Sequence, residues 1–408
     1  MALCPGLTLQ QRSDMDDWLE QRGRSGERTI ALARRALPAD RLHINPQDER
    51  DLEFLGAMAF TDPIKPSTFG AVTRARELGV ALKILTGDSP QVAGAVGKAI
   101  GLLDDPEKVI TGAALTALPP DQQAAAVEEY SVIARVTPEQ KYEIIQTLQL
   151  SHIVGFLGEG INDAPALKLA GVSLAVQSAA DIARQAADII LLEADLGVII
   201  DGIRSGREVF ANSIKYLKST LASNFGNFYA LAIGSLFINY LPMLPLQILL
   251  LNLLSDFPMI SIATDNVDKS EWARPRKYDV REIVLISTVL GLVSTVDDFL
   301  FFATFVGRGE HILQTNWFMG SILTELLFLF SIRTRLPFWK AVRPSATVLG
   351  LTASAFVATL VIPYTRFGQT VFQFTPPSAG DLGIILGLVG GFFVAAELVK
   401  ALYYQHMG

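Results

Sequence analysis

The sequence predicts an α/β domain built on a parallel sheet, followed by an α-helical bundle of six transmembrane helices. Three observations lead there. Residues 51–205 alternate short apolar runs of strand character with helix-like stretches. From about residue 206 onward the chain turns into long apolar blocks. Half of the 408 residues are apolar, only 18% are charged, and the mean hydropathy is positive, which is the balance of a protein partly in a membrane.

The soluble part is read from its strand ends. Val80–Leu85 is an apolar run that ends in Thr86-Gly87-Asp88, and Gln91–Ile100 reads as the helix after it. Ile153–Leu157 is a second run, ending in Gly158-Glu159-Gly160-Ile161-Asn162-Asp163, with a helix over Ala164–Ala170. Strands alternating with helices form a parallel sheet, and ligands gather at the carboxyl ends of its strands. Both polar clusters fall at such ends.

Their chemistry suits phosphate. Thr86 offers a hydroxyl and Gly87 a bare amide for phosphate oxygens. Lys141, on the helix expected after Thr137-Pro138, can neutralise phosphate charge. Glu159 and Asp163 supply carboxylates for Mg²⁺, and Asn162 can hydrogen-bond a phosphoryl oxygen. Each cluster alone is a common turn or a solvated charge. The ordered set, with the lysine between the two loops, is much more specific for phosphoryl transfer.

Six segments qualify as spans: about 208–238, 242–262, 281–305, 315–332, 346–365 and 381–404. The first begins with Arg204, Arg207, Glu208, Lys215 and Lys218, so its start reads as a stalk leaving the cytosol. Connections 266–281 and 333–343 hold most of the loop cations, which makes them cytosolic and puts both ends of the chain in the cytosol. Within the spans, Asn224 and Asn227 lie three apart on one helix face. Asn252, Ser255 and Asp256 share a face of the next helix. Such oxygens could hold a hard cation, or the amides and hydroxyl could join helices by hydrogen bonds. Asp297, Asp298 and Glu325 are secondary candidates for an ion path.

Some classes are excluded. A net charge of −7 argues against nucleic acid as a partner. One cysteine, Cys4, rules out an internal disulfide framework, and His43, His152, His311 and His406 form no ligand spacing. Residues 1–10 carry no secretory signal, so membrane insertion is expected to rest on the later helices.

Several stretches together resemble the P-type cation-transporting ATPases. They are Thr61-Asp62-Pro63-Ile64-Lys65-Pro66, Ile84-Leu85-Thr86-Gly87-Asp88, Val136-Thr137-Pro138-Glu139-Gln140-Lys141, Gly158 to Leu167 and Ala187 to Leu192, with the stalk from Phe210 to Asn227. The resemblance implies a haloacid-dehalogenase-like, Rossmann-type phosphorylation domain at 51–205. Residues 1–50 would be the tail of a nucleotide-binding domain, and 206–408 a transmembrane domain of six helices with the first extended as a stalk. It implies ATP and Mg²⁺ as cofactors. Thr86 and Gly87 would contact the phosphoryl group, with Asp88 holding the loop. Lys141 would neutralise an aspartyl phosphate, Glu159 and Asp163 would serve the catalytic Mg²⁺, and Asn162 would order the phosphate. Asn224, Asn227, Asn252, Ser255 and Asp256 would form the site of the transported ion.

Ser223 to Asn227, Leu241 to Leu246, Asp265 to Asp268 and Ile332 to Phe338 most resemble the bacterial magnesium-transporting members. Glu159 departs from the family's aspartate. No Asp-Lys-Thr-Gly-Thr and no Thr-Gly-Glu-Ser occurs in the 408 residues. The expectation is therefore the carboxyl-terminal portion of a pump in a bacterial inner membrane. Its partners would be membrane lipid, the transported cation and an amino-terminal half bearing the phosphorylated aspartate, the actuator loop and the first membrane helices. On this reading the chain alone has no ATPase activity. An inactive remnant or regulatory membrane protein is the alternative; a membrane-anchored phosphatase is disfavoured for want of a nucleophilic aspartate.

Overall fold

A computed structural model describes residues 3–37, 45 and 49–407; His43 and the other residues of 38–48 save Asn45 lie outside it. The chain divides into two compact units, 1–202 and 203–408.

In the first unit, α1 (Leu9–Arg24) starts at Thr8 with a capping box to Gln11. It rests on the helix α3 described below: a Cβ on Gly23 would stand 3.2 Å from Gln91. Strands β1 (Arg28–Arg34) and β2 (Glu53–Phe60) pair antiparallel. Then follow α2 (Pro66–Glu77), β3 (Ile84–Leu85), α3 (Pro90–Ala99), β4 (Ile110–Thr111), α4 (Gly112–Ala117), α5 (Pro120–Glu129), β5 (Val132–Ala134) and α6 (Pro138–Gln149). After these come β6 (Gly155–Leu157), a single 3-10 turn at Ile161–Asp163, α7 (Ala164–Leu169), β7 (Val172–Val176), α8 (Asp181–Ala186) and β8 (Ile189–Leu191).

The parallel strands form two sheets of three, ordered β3-β5-β4 and β6-β7-β8. The middle strands are buried: Val132, Ile133 and Ala134 on β5, and Leu174, Ala175 and Val176 on β7. The run Val80–Leu85 is strand only at Ile84 and Leu85, where it meets Val132 and Ile133 of β5. Likewise only Gly155–Leu157 of the second run finds a partner, in β7. An apolar run shows that burial is available. Pairing decides how much of it is strand.

The second unit is helical: α9 (Leu196–Gly234, begun in the first unit), α10 (Pro245–Ile260), α11 (Lys269–Trp272), α12 (Val280–Phe305), α13 (Glu310–Ile332), α14 (Ala346–Val361), α15 (Arg366–Val371) and α16 (Ala379–Met407). Among the described residues, five helical segments are long and apolar enough to cross a membrane; they contain α10, α12, α13, α14 and α16. The expected sixth, within α9, falls short of that measure. Its first half carries Arg204, Arg207, Glu208, Lys215 and Lys218, and its second half Ser223, Asn224 and Asn227. The chain is a multi-pass membrane protein by its five apolar helices.

Helix α13 is the axis of this unit, with 89% of its apolar window buried against 28–44% for the other four. Trp317 and Phe318 sit at its centre, with Trp317 edge-on to Phe302 at 4.7 Å and Phe318 against Phe374 at 4.6 Å. Gly320 is required for the fit: a Cβ there would lie 2.3 Å from the Phe301 ring. At one end, Asp265 is buried beneath two cations. Arg333 donates to it at 2.8 and 3.2 Å, Lys215 stands 3.6 Å away, and the Ser345 amide donates at 3.0 Å. Asp268 ties the same two loops, accepting from Thr334 at 2.7 Å and the Val342 amide at 2.8 Å. The two cation-rich connections therefore lie together.

Replacing one partner of a buried ion pair leaves the other charge unpaired, at about 3–5 kcal/mol. Asp265→Ala strands two cations, whereas Arg333→Ala leaves Lys215 to serve the carboxylate. Thermal unfolding of the detergent-purified chain should fall further for Asp265→Ala than for Arg333→Ala; equal losses would show that Lys215 takes no part.

Candidate functional site

The first site lies in the unit 1–202. Strand β5 leads through Arg135 and Val136 into α6, whose start is set by Thr137 at the N-cap and a capping box with Gln140. That start puts Lys141 in the first turns of α6. Strand β6 leads into the loop 158–163. Lys141 Nζ donates to Asp163 Oδ1 at 2.7 Å, and both side chains are largely buried. The other oxygen, Oδ2, accepts from the amides of Gly160 (3.1 Å) and Glu159 (3.3 Å). Gly158 permits this, since a Cβ there would stand 2.8 Å from the Asp163 Cβ. Burial works against ionisation of Asp163. The Lys141 bond and the two amides outweigh it and hold the carboxyl below the usual aspartate range.

The second loop follows β3. Thr86 donates to Asp88 Oδ2 at 3.1 Å and accepts from the Asp88 amide at 3.1 Å. Asp88 also takes a 2.8 Å ion pair from Arg28 on β1. That bond, the charge of Asp88 and, more weakly, that of Asp62 raise the Arg28 pKa above its ordinary value. Gly87 is exposed, with nothing within 4 Å of where a Cβ would be. The Val136 amide donates to the Thr86 carbonyl at 3.0 Å and that of Arg135 to the Asp88 carbonyl at 3.1 Å. The threonine loop is thus tied to the segment that positions Lys141.

Lys141 and Asp163 are brought together, as are Thr86 and Asp88. Glu159 and Asn162 are exposed on the loop. Both Asp163 oxygens are occupied by donors, so Glu159 is the carboxylate left facing outward. Mg²⁺ is held by one or two carboxylates and keeps several waters, and this donor set fits it with Asp163 in the outer shell. Among the described residues no group of three or more His, Cys, Asp or Glu could hold a metal ion. Sequence reasoning missed Arg28, sixty positions from Asp88, because nothing in its own neighbourhood signals that pairing.

A second polar cluster lies inside the unit 203–408. Glu325 on α13 is buried and accepts from Ser223 at 2.5 Å and Asn227 at 2.8 Å, both on α9. Ser255 and Asp256 of α10 are close by. The second Glu325 oxygen is buried with no hydrogen-bond partner among the described residues. The residue that the structure puts at the centre is therefore Glu325. Ser223 joins Asn227 at i, i+4, and Asn224 is exposed instead. Ser255 is buried, while Asn252 and Asp256 are exposed. Asp298 is buried separately, accepting from Trp317 at 2.7 Å.

The matches to known families divide at the same place as the structure. Residues 13–171 match the haloacid dehalogenase-like hydrolases, and residues 240–402 match the carboxyl-terminal region of cation transporting ATPases. The chain belongs to the cation-transporting P-type ATPase family. It is 35% identical over 394 residues to a magnesium-transporting P-type ATPase of Salmonella typhimurium, a match covering 94% of this chain and 43% of that protein. Another magnesium-transporting ATPase of Salmonella typhimurium is 38% identical over 98% of this chain and 45% of its own length. A calcium-transporting ATPase of Bacillus subtilis is 30% identical over 91% and 43%. The chain thus spans less than half the length of these relatives.

Because the folded pKa of Asp163 is depressed, its ionised form adds stability at neutral pH. That contribution is lost as pH falls from 3.8, the ordinary value, through the lower folded value. Urea unfolding followed by far-ultraviolet circular dichroism should show the stability of the chain falling as pH drops through and below 3.8, and Asp163→Asn should remove this acid-sensitive part. An unchanged acid limb in the variant would mean that Asp163 carries none of it.

Proposed function

We propose that this chain is the carboxyl-terminal portion of an ATP-driven cation pump, with Mg²⁺ the transported ion. Its aspartyl phosphate forms on a residue outside residues 1–408. The observation that carries the reading is the Lys141–Asp163 pair, set beside the Glu159 and Gly160 amides and tied through Val136 to the open Thr86-Gly87 loop. We read this as a cradle for a phosphoryl group, with no nucleophile in it among the described residues.

In the complete pump the γ-phosphoryl of ATP moves to an aspartate carboxylate: the bond to the ADP oxygen breaks and an acyl phosphate forms. Water later cleaves it to inorganic phosphate. Thr86 and Gly87 hold equatorial oxygens, Lys141 neutralises their charge, Asn162 adds a hydrogen bond, and Asp88 keeps the loop closed on Thr86. Glu159, with Asp163 in support, would hold Mg²⁺, which would supply charge neutralisation at the transferring group.

The ion site is built on Glu325, Ser223, Asn227 and Ser255, with Asn252 and Asp256 completing it and Asn224 further out. The exposure of Asp256 supports a shared site. A carboxylate at membrane depth facing lipid is costly, and helices of the remaining portion would cover it. The relatives' names support Mg²⁺ as cargo, and the basic loops support cytosolic chain ends in a bacterial inner membrane.

The test is phosphorylation by radiolabelled ATP in membranes holding this chain together with the aspartate-bearing portion of the Salmonella relative. An acid-stable phosphoenzyme is expected with both portions and not with this chain alone. Lys141→Ala should lower it about 100-fold, and Glu325→Gln should abolish Mg²⁺ transport by vesicles holding both portions. Vanadate-sensitive ATPase activity in the purified chain by itself would contradict the reading.

A further inference from the structure

Helix α12 carries a buried acid that the ion site does not use. Asp298 accepts from the Trp317 indole N–H of α13 on Oδ1, at 2.7 Å. Its other oxygen, Oδ2, is enclosed and has no hydrogen-bond partner among the described residues. The neighbours along its own helix do not supply one. Phe301 and Phe302, three and four residues on, are buried rings, and Phe302 lies edge-on to Trp317 at 4.7 Å. The Thr295 hydroxyl, three residues back, is spent on the Gly291 carbonyl at 2.9 Å. Asp297 is the adjacent residue, so its side chain points about 100° away around the helix.

No side-chain cation is at hand to balance this acid. Residues 219–264, 282–307 and 312–332 contain no Lys, Arg or His. The cations of the unit are paired elsewhere: Lys215 and Arg333 with Asp265, Lys218 and Arg335 with Glu282, Arg308 with Asp381, and Lys400 with Glu397 on α16. The titratable groups that act on Asp298 are Asp297 on the same helix and Glu325 on α13, both acids. The stretch of α9 from Ser219 to Gly234 has only Tyr229 to titrate. An ionised carboxylate enclosed with a single neutral donor is costly, and a bound proton removes that cost. A metal ion fits worse. A hard cation needs several converging oxygens, whereas rings and an N–H donor surround this group.

The free oxygen has company along α13. Trp317, Ser321 and Glu325 follow at four-residue intervals, on one stripe of the helix. The Ser321 hydroxyl and Glu325 Oε2 are also enclosed without a hydrogen-bond partner among the described residues. Three unpaired oxygens thus lie along about 12 Å of helix, from the Trp317–Asp298 bond to the cluster of Glu325 with Ser223 and Asn227. We propose that Asp298 is a proton-binding site. Oδ2 holds the proton, Trp317 fixes Oδ1, and Ser321 with ordered water relays the proton along the stripe. Enclosed polar groups without protein partners are where ordered water binds. The relay makes and breaks only O–H bonds: Ser321 Oγ takes a proton from one side as it gives its own to the other. The ligand is a proton, and the site is separate from that of the transported cation.

Infrared spectroscopy of the full chain in detergent micelles at neutral pH reads the proton. The difference between wild type and Asp298→Asn should contain the carbonyl stretch of a protonated carboxylic acid. Asparagine keeps the shape and the Trp317 bond, so the comparison does not depend on a loss of fold. Trp317→Phe should move that band to higher wavenumber, because the carbonyl oxygen loses its hydrogen bond. In heavy water the band shifts as the proton exchanges, and Ser321→Ala should slow that shift about tenfold, the worth of one buried hydrogen bond. The acid band should survive saturating Mg²⁺. A carboxylate band in its place would overturn the proton site, and conversion of acid to carboxylate by Mg²⁺ would make Asp298 a metal ligand instead. An unchanged exchange rate in Ser321→Ala would overturn the relay. These spectra need neither ATP nor a phosphoenzyme, so the proton site and the pump reading fail separately.

Discussion

The first unit depends on one half-buried ion pair. Lys141 comes from the helix that follows β5, and Asp163 from the loop that follows β6. Two small parallel sheets, each with its own apolar core, meet through that bond, through the Gln149 side chain on the Leu169 carbonyl and through the packing of α6 on α7. A lysine and an aspartate partly withdrawn from water are stabilised when each satisfies the other and the spare lone pairs find donors. The Glu159 and Gly160 amides supply those donors. On the proposed reading the same geometry serves chemistry, since it fixes a cation in the segment tied to the open Thr86-Gly87 loop.

The helical unit follows the same rule with other groups. Asp265 is surrounded by Arg333, Lys215 and a backbone amide, and it is a fastening rather than a site because nothing in it is left over. Glu325 differs. Ser223 and Asn227 satisfy one oxygen, and the second stays buried without a hydrogen bond beside Ser255 and Asp256. A carboxylate with an unused oxygen, beside a hydroxyl and a second carboxylate, is the feature on which the proposed cation site rests.

Much of this was legible in the sequence because the signals are local. The Thr137 cap, the two polar loops at strand ends and the long apolar blocks each depend on a few neighbouring residues. What could not be read depends on residues far apart. Arg28 reaches Asp88 only through the placement of β1. Glu325 becomes central only when α13 turns it toward Ser223 and Asn227. Counting three from Asn227 led to Asn224, whereas the packing of α9 selects Ser223, four residues away. The extent of β3 and β6 was overestimated because an apolar run does not reveal where its partner strand ends. The first span was counted from apolar content, though its charges and amides leave α9 below the measure that the other five helices meet.

The central claim is that Lys141 and Asp163 act as one unit holding the two sheets in register. A double-mutant cycle of Lys141→Met and Asp163→Asn, read by urea unfolding of the first unit within the full chain, measures it directly. The account predicts that the two substitutions are non-additive by about 0.5–3 kcal/mol. Additive losses would contradict it, because two residues whose effects simply sum do not hold each other in place.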